Sequence, residues 1–431
     1  MITLSEHQKK VIDYPSSKMV VSLGVGLGKT IATLSAHSDV KNILIVMPKM
    51  LKEDKTWEKN QEKIGTNSVL YTISKENFRK HHKTLPYFDC VVLDEYASWA
   101  VGVSPTMRSK GGVEYIVESK IHTAIMWYIN THNPSRIYLV DATASANKPM
   151  ALWATMRILG KINPTMRVID SFKSFRNMFY FKVQKGYTAL YMQKKDKKTA
   201  ELLSEYWRKT GVFLDDENRI PPIEEIVPIE ITQKQKEYMI QIKREYTNPL
   251  TLNLKEYMCL NGVHNSTIFN EKDHTAQEIP ESIYNHKITY IVDYAKFSPK
   301  QFIVFATFKV QINEIVKALK EKGITVDSIT GATKDKSIIA EKFRNNEIQV
   351  LVAQSSICQG WEAPYCDTII RASMPNRADF LQQQAGRIDR PHILSKQNYI
   401  YNLIIKGTVD EKAYETVKRG EDIYFLTMNN D

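Results

Sequence analysis

The residues with the clearest chemistry lie near the start of the chain, in the run GLGKT at positions 26–30. The apolar run 19–23 precedes it and the run 31–34 follows it, which predicts a strand, a glycine-rich turn and the start of a helix. Glycines let successive backbone N–H groups face one anion, and a helix N-terminus adds partial positive charge. We therefore predict a phosphate-binding loop in which Lys29 reaches the outer phosphates of a nucleoside triphosphate and Thr30 offers its hydroxyl to Mg²⁺.

Two carboxylates, Asp94 and Glu95, directly follow the apolar run 91–93. Ligands bind at the carboxyl ends of the strands in parallel sheets, so both side chains are expected at a binding edge. Asp94 can hold Mg²⁺ through water, and Glu95 can orient the water that attacks a γ-phosphate. An ordinary acidic turn after a buried strand is the alternative, and the phosphate loop in the same lobe makes it less favoured.

A second basic group occurs late in the chain, where Gln383, Gly386, Arg387 and Arg390 follow the spacing QxxGRxxR. The spacing predicts that the two guanidinium groups lie on one helical face. Planar donors that are always charged suit a phosphoryl transition state. A solvated helix face is the plainer interpretation of the same pattern.

Composition limits the class of protein. The chain has 431 residues, enough for two or three domains, and its 43% hydrophobic and 25% charged residues are typical of a soluble globular protein. The formal charge of +11 indicates a polyanionic partner without naming it. No pattern typical of a leader or a membrane span occurs, so we expect a cytoplasmic protein. The cysteines lie far apart and predict neither a disulfide framework nor a zinc site; they are Cys90, Cys259, Cys358 and Cys366.

The order of apolar runs predicts the fold class, which is α/β. Short β-rich runs alternate with longer segments of helical period, and this alternation is typical of parallel sheets covered by helices. The predicted strands are 19–23, 42–47, 90–93 and 136–140 in a first lobe, and 302–305, 349–352, 368–370 and 399–405 in a second. We predict a first lobe over 1–165, a largely helical insertion and connecting segment over 166–285, which includes the alternating run 223–231, and a second lobe over 286–431.

These motifs, taken in order, resemble superfamily 2 helicases and translocases over nearly the whole chain. The resemblance implies two RecA-like lobes in tandem, hydrolysis of ATP with Mg²⁺, and a nucleic-acid partner. Catalytic roles are implied for Lys29, Asp94, Glu95, Arg387 and Arg390, and Mg²⁺ binding for Thr30 and Asp94. ATP contacts are implied for Gln8, Gly26, Leu27, Gly28, Lys29, Thr30, Gly360 and Glu362. Coupling of hydrolysis to movement is implied for Thr143, Ala144, Ser145 and Gln383. Nucleic-acid contacts are implied for Pro48, Lys49, Thr307, Phe308, Thr330, Gly331, Gln354 and Ser355.

Several details are similar to the SWI/SNF-type branch of this superfamily. That branch lacks a glycine at the position of Leu23, and Trp57 after Pro48 also matches it. The acidic box continues as Tyr96 and Ala97, which departs from its Asp-Glu-x-His form. The chain has no room for large accessory domains, so we expect a compact monomeric motor of bacteriophage or bacterial type.

Three functions remain open at this point. The first is an ATP-dependent motor on duplex or branched DNA, and the second is an ATP-dependent RNA helicase. The absence of an Asp-Glu-Ala-Asp box favours DNA over RNA. The third is a nucleic-acid clamp or recruitment module that does not hydrolyse ATP. The charged residues that hydrolysis needs are all present, which argues against the clamp.

Overall fold

The chain forms two compact units, Met1–Glu217 and Asn218–Asp431. The computed structural model describes residues 3–24, 26–37, 39–142, 148–162, 167–185, 188–214, 220–270, 275–358, 361, 363, 365–388 and 397–423. Within these residues no helix has the length and apolar character that a bilayer crossing requires.

The first unit is an α/β domain. Its helices are α1 Glu6–Ile12, α2 Lys29–Ser35, α3 Lys49–Glu53, α4 Thr56–Ile64, α5 Lys75–His81, α6 Lys120–His132, α7 Pro149–Ile158, α8 Val168–Phe179 and α9 Lys197–Arg208. Its strands are β1 Lys18–Leu23, β2 Asn42–Met47, β3 Val69–Ser74, β4 Cys90–Asp94, β5 Val103–Lys110, β6 Val113–Glu118, β7 Arg136–Asp141, β8 Tyr180–Lys185, β9 Thr188–Gln193 and β10 Gly211–Leu214.

Six of these strands form one parallel sheet in the order β10-β1-β7-β4-β2-β3. Alternate residues of each central strand enter two different cores, one on each face: Val20 packs in one and Val21 in the other. Burial on both faces explains why the central strands are continuously apolar rather than alternating. One edge of this sheet is formed by the carboxyl ends of β1, β7, β4 and β2. The predicted site residues of the first unit that the structure describes lie at or against this edge.

The second unit repeats this plan. Its helices are α10 Gln233–Glu245, α11 Pro249–Leu260, α12 His286–Phe297, α13 Lys309–Glu321, α14 Lys336–Arg344, α15 Ala378–Ala385 and α16 Val409–Lys418. Its strands are β11 Ile223–Pro228, β12 Val263–Asn270, β13 Thr275–Ser282, β14 Phe302–Ala306, β15 Val326–Ile329, β16 Val350–Gln354, β17 Thr368–Arg371 and β18 Tyr399–Ile404. Six strands form a second parallel sheet in the order β11-β18-β17-β14-β16-β15.

The predicted fold class of two parallel-sheet lobes is confirmed, and each predicted strand is present. The segment 166–285 contains α8 to α11 together with two antiparallel hairpins, β8–β9 and β12–β13, which the sequence pattern does not predict. This segment also supplies β10 to the first sheet and β11 to the second. The division at 165 and 285 remains a prediction, and the compact units meet at Glu217 and Asn218.

Candidate nucleotide site and nucleic-acid interface

The glycine-rich turn lies between β1 and α2, as its sequence predicts. Gly26 and Gly28 have φ angles of 85° and 74°, in the left-handed region that favours glycine. Lys29 and Thr30 are the first two residues of α2 and are only partly buried. The structure thus places a cation and a hydroxyl at a helix N-terminus, where an anion is stabilised.

Gln8 lies directly against this turn. Its side chain and that of Ser5 form a capping box at the start of α1, and the Gln8 Nε2 donates to the Leu27 carbonyl oxygen at 3.3 Å. A Cβ atom placed on Gly28 would lie 2.3 Å from that same Nε2. Gln8 and Gly28 are therefore fitted to each other, although the two residues are twenty positions apart in the sequence.

Asp94 is buried at the end of β4 and is held by several donors. The Trp57 Nε1 donates to its Oδ2 at 2.8 Å, and the Glu95 backbone N–H donates to its Oδ1 at 3.0 Å. Burial, together with the nearby Glu95 charge, raises the pKa of Asp94 to about 7, although the Trp57 hydrogen bond and the Lys29 charge act in the opposite direction. A buried carboxyl group whose ionised form is this costly can be stabilised by a cation.

Glu95 has a φ angle of 53°, an uncommon conformation for a residue with a side chain. The turn that follows is fixed by two hydrogen bonds: Ser98 Oγ donates to the Glu95 carbonyl oxygen at 2.9 Å, and the Ala97 N–H donates to Asp141 Oδ2 at 3.0 Å. Asp141 is the last residue of β7, and Asp94 is the last residue of β4. Two neighbouring strands therefore hold Glu95 in its strained conformation. Strain retained at such a position is typical of functional sites.

The residues of this edge suit ATP and Mg²⁺. The turn leaves no room for a side chain at Gly28. Thr30 supplies a hydroxyl group and Asp94 supplies a buried carboxyl group, so these two residues would hold the ion. No group of three or more His, Cys, Asp and Glu side chains that could hold a metal by themselves occurs within the described part of the chain. Mg²⁺ in proteins is commonly bound through one or two carboxylates together with water and substrate phosphates, a set to which Thr30 and Asp94 could contribute.

Pro48 and Lys49, the predicted nucleic-acid residues of the first unit, follow β2 at the same edge. Pro48 caps α3 and Lys49 begins it. The Lys49 ammonium lies 3.4 Å from a carboxylate oxygen of Glu53, and its side chain remains 74% exposed. An exposed lysine beside a helix start is available to a phosphate backbone.

In the second unit, the predicted nucleic-acid residues follow β14, β15 and β16 at the carboxyl edge of the sheet. Thr307 Oγ1 donates to the Met374 carbonyl oxygen at 2.8 Å and lies 3.3 Å from Ser355 Oγ. The Gly331 N–H donates to Gln354 Oε1 at 2.9 Å, and Thr330 pairs with Thr333 beside it. The structure therefore brings Thr307 and Ser355 together, and likewise Gly331 and Gln354.

A groove of about 540 Å³ opens at this edge. It contains four of the predicted residues and is closed on other sides by α11 and by the segment that leads into α15. Its lining residues are Leu254, Met258, Thr307, Phe308, Gln354, Ser355, Ser356, Asn376, Arg377 and Phe380. The Arg377 guanidinium lies 5.0 Å from the Phe380 ring centroid, which gives the groove both a cation and an aromatic face.

Arg387 does not lie on a helical face, contrary to the expectation from its spacing. Helix α15 ends at Ala385, and Arg387 falls in the turn that follows. It is buried, and its guanidinium donates to the carbonyl oxygens of Gln383 and Trp361. The Gln383 side chain accepts a hydrogen bond from Cys358 Sγ at 3.3 Å. The C-cap of α15 is Gly386, so the helix ends one residue before the arginine.

Six predicted site residues lie outside the described part of the chain. They are Thr143, Ala144, Ser145, Gly360, Glu362 and Arg390. Their roles remain predictions, as do the roles of the described site residues.

The sequence pattern alone missed three contributors to these edges: Trp57 as a donor to Asp94, Asp141 as an acceptor for the turn after Glu95, and Gln384 beside Gln383. Asp141 carries a detectable signal, because a carboxylate directly after an apolar strand resembles the position of Asp94. The partner of a lone tryptophan or glutamine depends on tertiary packing and has no such signal.

The helicase conserved C-terminal domain family matches residues 285–392, which begin just before α12 and include α15. The putative ATP-dependent helicase IRC3 of Saccharomyces cerevisiae is 28% identical over 141 residues, or 32% of this chain and 20% of that protein. The uncharacterized ATP-dependent helicase YqhH of Bacillus subtilis is 29% identical over 131 residues, or 30% of this chain and 23% of that protein. The predicted resemblance to superfamily 2 helicases is confirmed.

Two further similarities complete the comparison. The DEAD-box ATP-dependent RNA helicase 38 of Arabidopsis thaliana is 22% identical over 125 residues, or 28% of this chain and 25% of that protein. The Sulfolobus solfataricus SWI2/SNF2 ATPase core in complex with dsDNA is 17% identical and covers 97% of this chain and 91% of that chain, with a TM-score of 0.40. This chain spans only a fifth to a quarter of the length of the curated helicases that it matches. The helicase C-terminal domain nevertheless contains both α15 and the strand-end residues Thr307 and Ser355.

Proposed function

We propose that this protein is an ATP-dependent motor that moves on, or remodels, duplex or branched DNA. The observation that carries the proposal is the carboxyl edge of the first sheet. There a phosphate-binding turn, its lysine, a buried aspartate and a strained glutamate all follow strands of one parallel sheet. The helicase C-terminal domain in the same chain supports a nucleic-acid-dependent ATPase.

The residues have separate roles in this mechanism. The N-terminus of α2 and Lys29 bind the phosphates, and Lys29 balances charge that develops on them. Asp94 and Thr30 would hold Mg²⁺, which supplies charge neutralisation at the phosphates. In this mechanism Glu95 orients a water molecule and accepts its proton. Gln8 packs against the turn and supports it through the hydrogen bond from its amide to the Leu27 carbonyl oxygen.

The ATPase assignment is tested by a pair of variants that separate binding from hydrolysis. Lys29→Ala is expected to abolish turnover, because it removes the positive charge at the start of α2. Glu95→Gln is expected to retain ATP binding and lose hydrolysis, since the amide keeps the shape without the carboxylate. Wild-type turnover by either variant would overturn the assigned role.

The choice of DNA rests on the acidic box, which continues as Tyr96 and Ala97 rather than as Ala-Asp. One experiment separates the alternatives: ATP turnover measured side by side with single-stranded DNA, duplex DNA, a four-way junction and RNA. We expect duplex or branched DNA to raise turnover most. A larger effect of RNA would assign an RNA helicase instead.

A further inference from the structure

Gln384 is a fully buried residue of α15 that contacts two predicted functional groups at once. Its side-chain Nε2 donates to the Ser355 carbonyl oxygen at 3.3 Å. Its main-chain carbonyl oxygen accepts from the Arg387 N–H at 3.0 Å. A single residue therefore joins the strand-end loop that carries Ser355 to the turn that carries Arg387.

The orientation of the Gln384 amide is set by Arg371. The Arg371 Nε donates to Gln384 Oε1 at 2.9 Å, and because a guanidinium has only donors, the amide must present its oxygen to it. The amide nitrogen is thereby directed at Ser355. Arg371 itself is fixed by Glu224, whose Oε1 lies 2.8 Å from Nη1, and by the Leu381 carbonyl oxygen, 3.0 Å from Nη2.

The Ser355 end of this connection continues to Thr307. The Ser355 N–H donates to the Ala306 carbonyl oxygen at 2.8 Å, and the hydroxyl groups of Ser355 and Thr307 lie 3.3 Å apart. Ser355 is itself buried, so a shift of this loop changes its hydrogen bond to Gln384 directly. Buried polar connections of this kind are satisfied in only one arrangement, which makes them good transmitters of position.

We propose that Gln384 is a positioning residue that couples nucleic-acid contact at Thr307 and Ser355 to the placement of Arg387. The inference rests on the proposed function. Contact with a phosphate backbone fixes the strand-end loop, the Ser355 carbonyl fixes the Gln384 amide, and the end of α15 then holds Arg387 in one position. Without this connection, nucleic acid still binds at the loop but its effect on ATP turnover is reduced.

The test uses the full chain and the substitution Gln384→Glu. A carboxylate retains the acceptor for Arg371 but replaces the donor to Ser355 with a second acceptor. The matched control is Gln301→Glu, in which another buried glutamine of the same unit loses its donors to the carbonyl oxygens of Phe343 and Ile348. Gln301 precedes β14 and therefore lies at the opposite edge of the sheet.

The readout is the ratio of ATP turnover with and without duplex DNA, measured together with DNA affinity and the thermal midpoint. We expect Gln384→Glu to lower the ratio about fivefold or more, the effect of one net hydrogen bond, while DNA affinity stays within about twofold and Gln301→Glu keeps the wild-type ratio. A wild-type ratio in Gln384→Glu would overturn the coupling role, and so would a variant in which turnover falls equally with and without DNA, since the ratio is then unchanged. If the wild type itself shows no stimulation, the proposed function fails instead. If Gln384→Glu does not fold, Gln384→Met keeps the volume while removing both side-chain hydrogen bonds, and Gln301→Met is then its matched control.

Discussion

At the scale of single residues, Gly28 meets two constraints that are physically independent. Its φ angle of 74° is unfavourable for any residue with a Cβ atom, and a Cβ atom would also contact the Gln8 amide at 2.3 Å. The first constraint acts on the backbone alone, and the second acts on the fit between α1 and the phosphate-binding turn.

These constraints predict the behaviour of Gly28→Ala. We expect a loss of about 1–2 kcal/mol in the free energy of unfolding from the backbone, and a loss of ATP affinity of about tenfold or more from the displaced turn. Gly65→Ala is the matched control, since Gly65 has a φ angle of 76° with no atom within 4 Å of the added Cβ. Gly65→Ala should show only the loss in the free energy of unfolding and should keep the wild-type ATP affinity.

Isothermal titration of ATP and urea unfolding measure the two effects separately. Adding Gln8→Ala to Gly28→Ala removes the clash but not the backbone strain. ATP affinity that is equally reduced in the Gly28 and Gly65 variants would contradict the role of the fit with Gln8.

The site residues of the first unit could be predicted because their chemistry is local in sequence. The turn at 26–30 and the carboxylates at 94 and 95 each follow an apolar strand, so strand position alone brings them to one edge. Arg387 was placed incorrectly on a helical face because a three-residue spacing does not show where a helix ends. The sequence does not indicate the role of Gln384, because its partners lie outside α15. Arg371 belongs to β17, and Ser355 directly follows β16.

At the scale of elements, the close packing of His37 at α2, β4 and β7 affects how the free energy of unfolding depends on pH. Its ring packs edge-on against Tyr138 with centroids 4.1 Å apart, and its Nε2 lies 3.7 Å from Cys90 Sγ. Burial, together with the nearby Arg136 charge, lowers the pKa of His37 to about 3. The folded state therefore binds this proton much less readily than the unfolded state does.

The sign of the pH effect follows from this lowered pKa. Stability that is present above pH 6.5 is lost as the pH falls towards 3, at about 1.4 kcal/mol per pH unit. His37→Phe removes the group, so the variant should lose about 2.3 kcal/mol less than the wild type between pH 6.5 and 4.5. Urea unfolding at both pH values measures the difference, with the exposed His81→Phe as control. Equal losses in the wild type and His37→Phe would refute the assignment.

The second unit contains a fully buried ion pair that joins α12 to the start of α16. Lys287 Nζ lies 2.8 Å from Asp410 Oδ2 and also donates to Asn261 Oδ1 at 2.8 Å and to the Ala372 carbonyl oxygen at 2.9 Å. The connection continues through Gln311 and Ser373 to the Thr307 N–H. The pair therefore lies behind the strand-end loop of the candidate interface.

Removing one partner of this pair should be costly. Lys287→Met leaves the Asp410 carboxylate buried without its cation, and we expect a loss of about 3–5 kcal/mol in the free energy of unfolding. Lys296→Met removes an exposed pair with Asp293 and should cost about 0–1 kcal/mol. Adding Asp410→Asn to Lys287→Met should restore part of the loss. A cost for Lys287→Met no larger than that for Lys296→Met would contradict this account.

Strand prediction succeeded where burial is complete on both faces and at the alternating edge strand β11, but it missed the edge strands β3, β10 and β15. Strands β1, β2, β4 and β7 are continuous apolar runs, as are most central strands of the second sheet. In contrast, the first four residues of β3 alternate between exposed and half-buried, and β10 and β15 have only four residues each. An edge strand buries too little surface to impose a strong pattern on its sequence.

At the scale of the whole molecule, one chain contains two parallel sheets with different chemistry at their carboxyl edges. The edge of the first sheet carries the candidate phosphate-binding turn with Asp94 and Glu95, and the edge of the second carries a groove with hydroxyl groups, a cation and an aromatic ring. The order of motifs along the chain predicts this combination, and the helicase C-terminal domain at 285–392 agrees with it. The choice between DNA and RNA has no comparable signal, because contacts to phosphate oxygens, which both nucleic acids carry, do not distinguish the two.

The most direct test of the motor is ATP turnover by the complete chain with and without duplex DNA at low salt. We predict stimulation of at least about tenfold, which corresponds to roughly 1.4 kcal/mol of activation free energy. Since phosphate contacts release counterions, this stimulation should fall steeply as salt is raised. A turnover rate that is the same with and without each nucleic acid, at salt low enough for binding, would contradict the motor and favour a clamp that does not couple binding to hydrolysis.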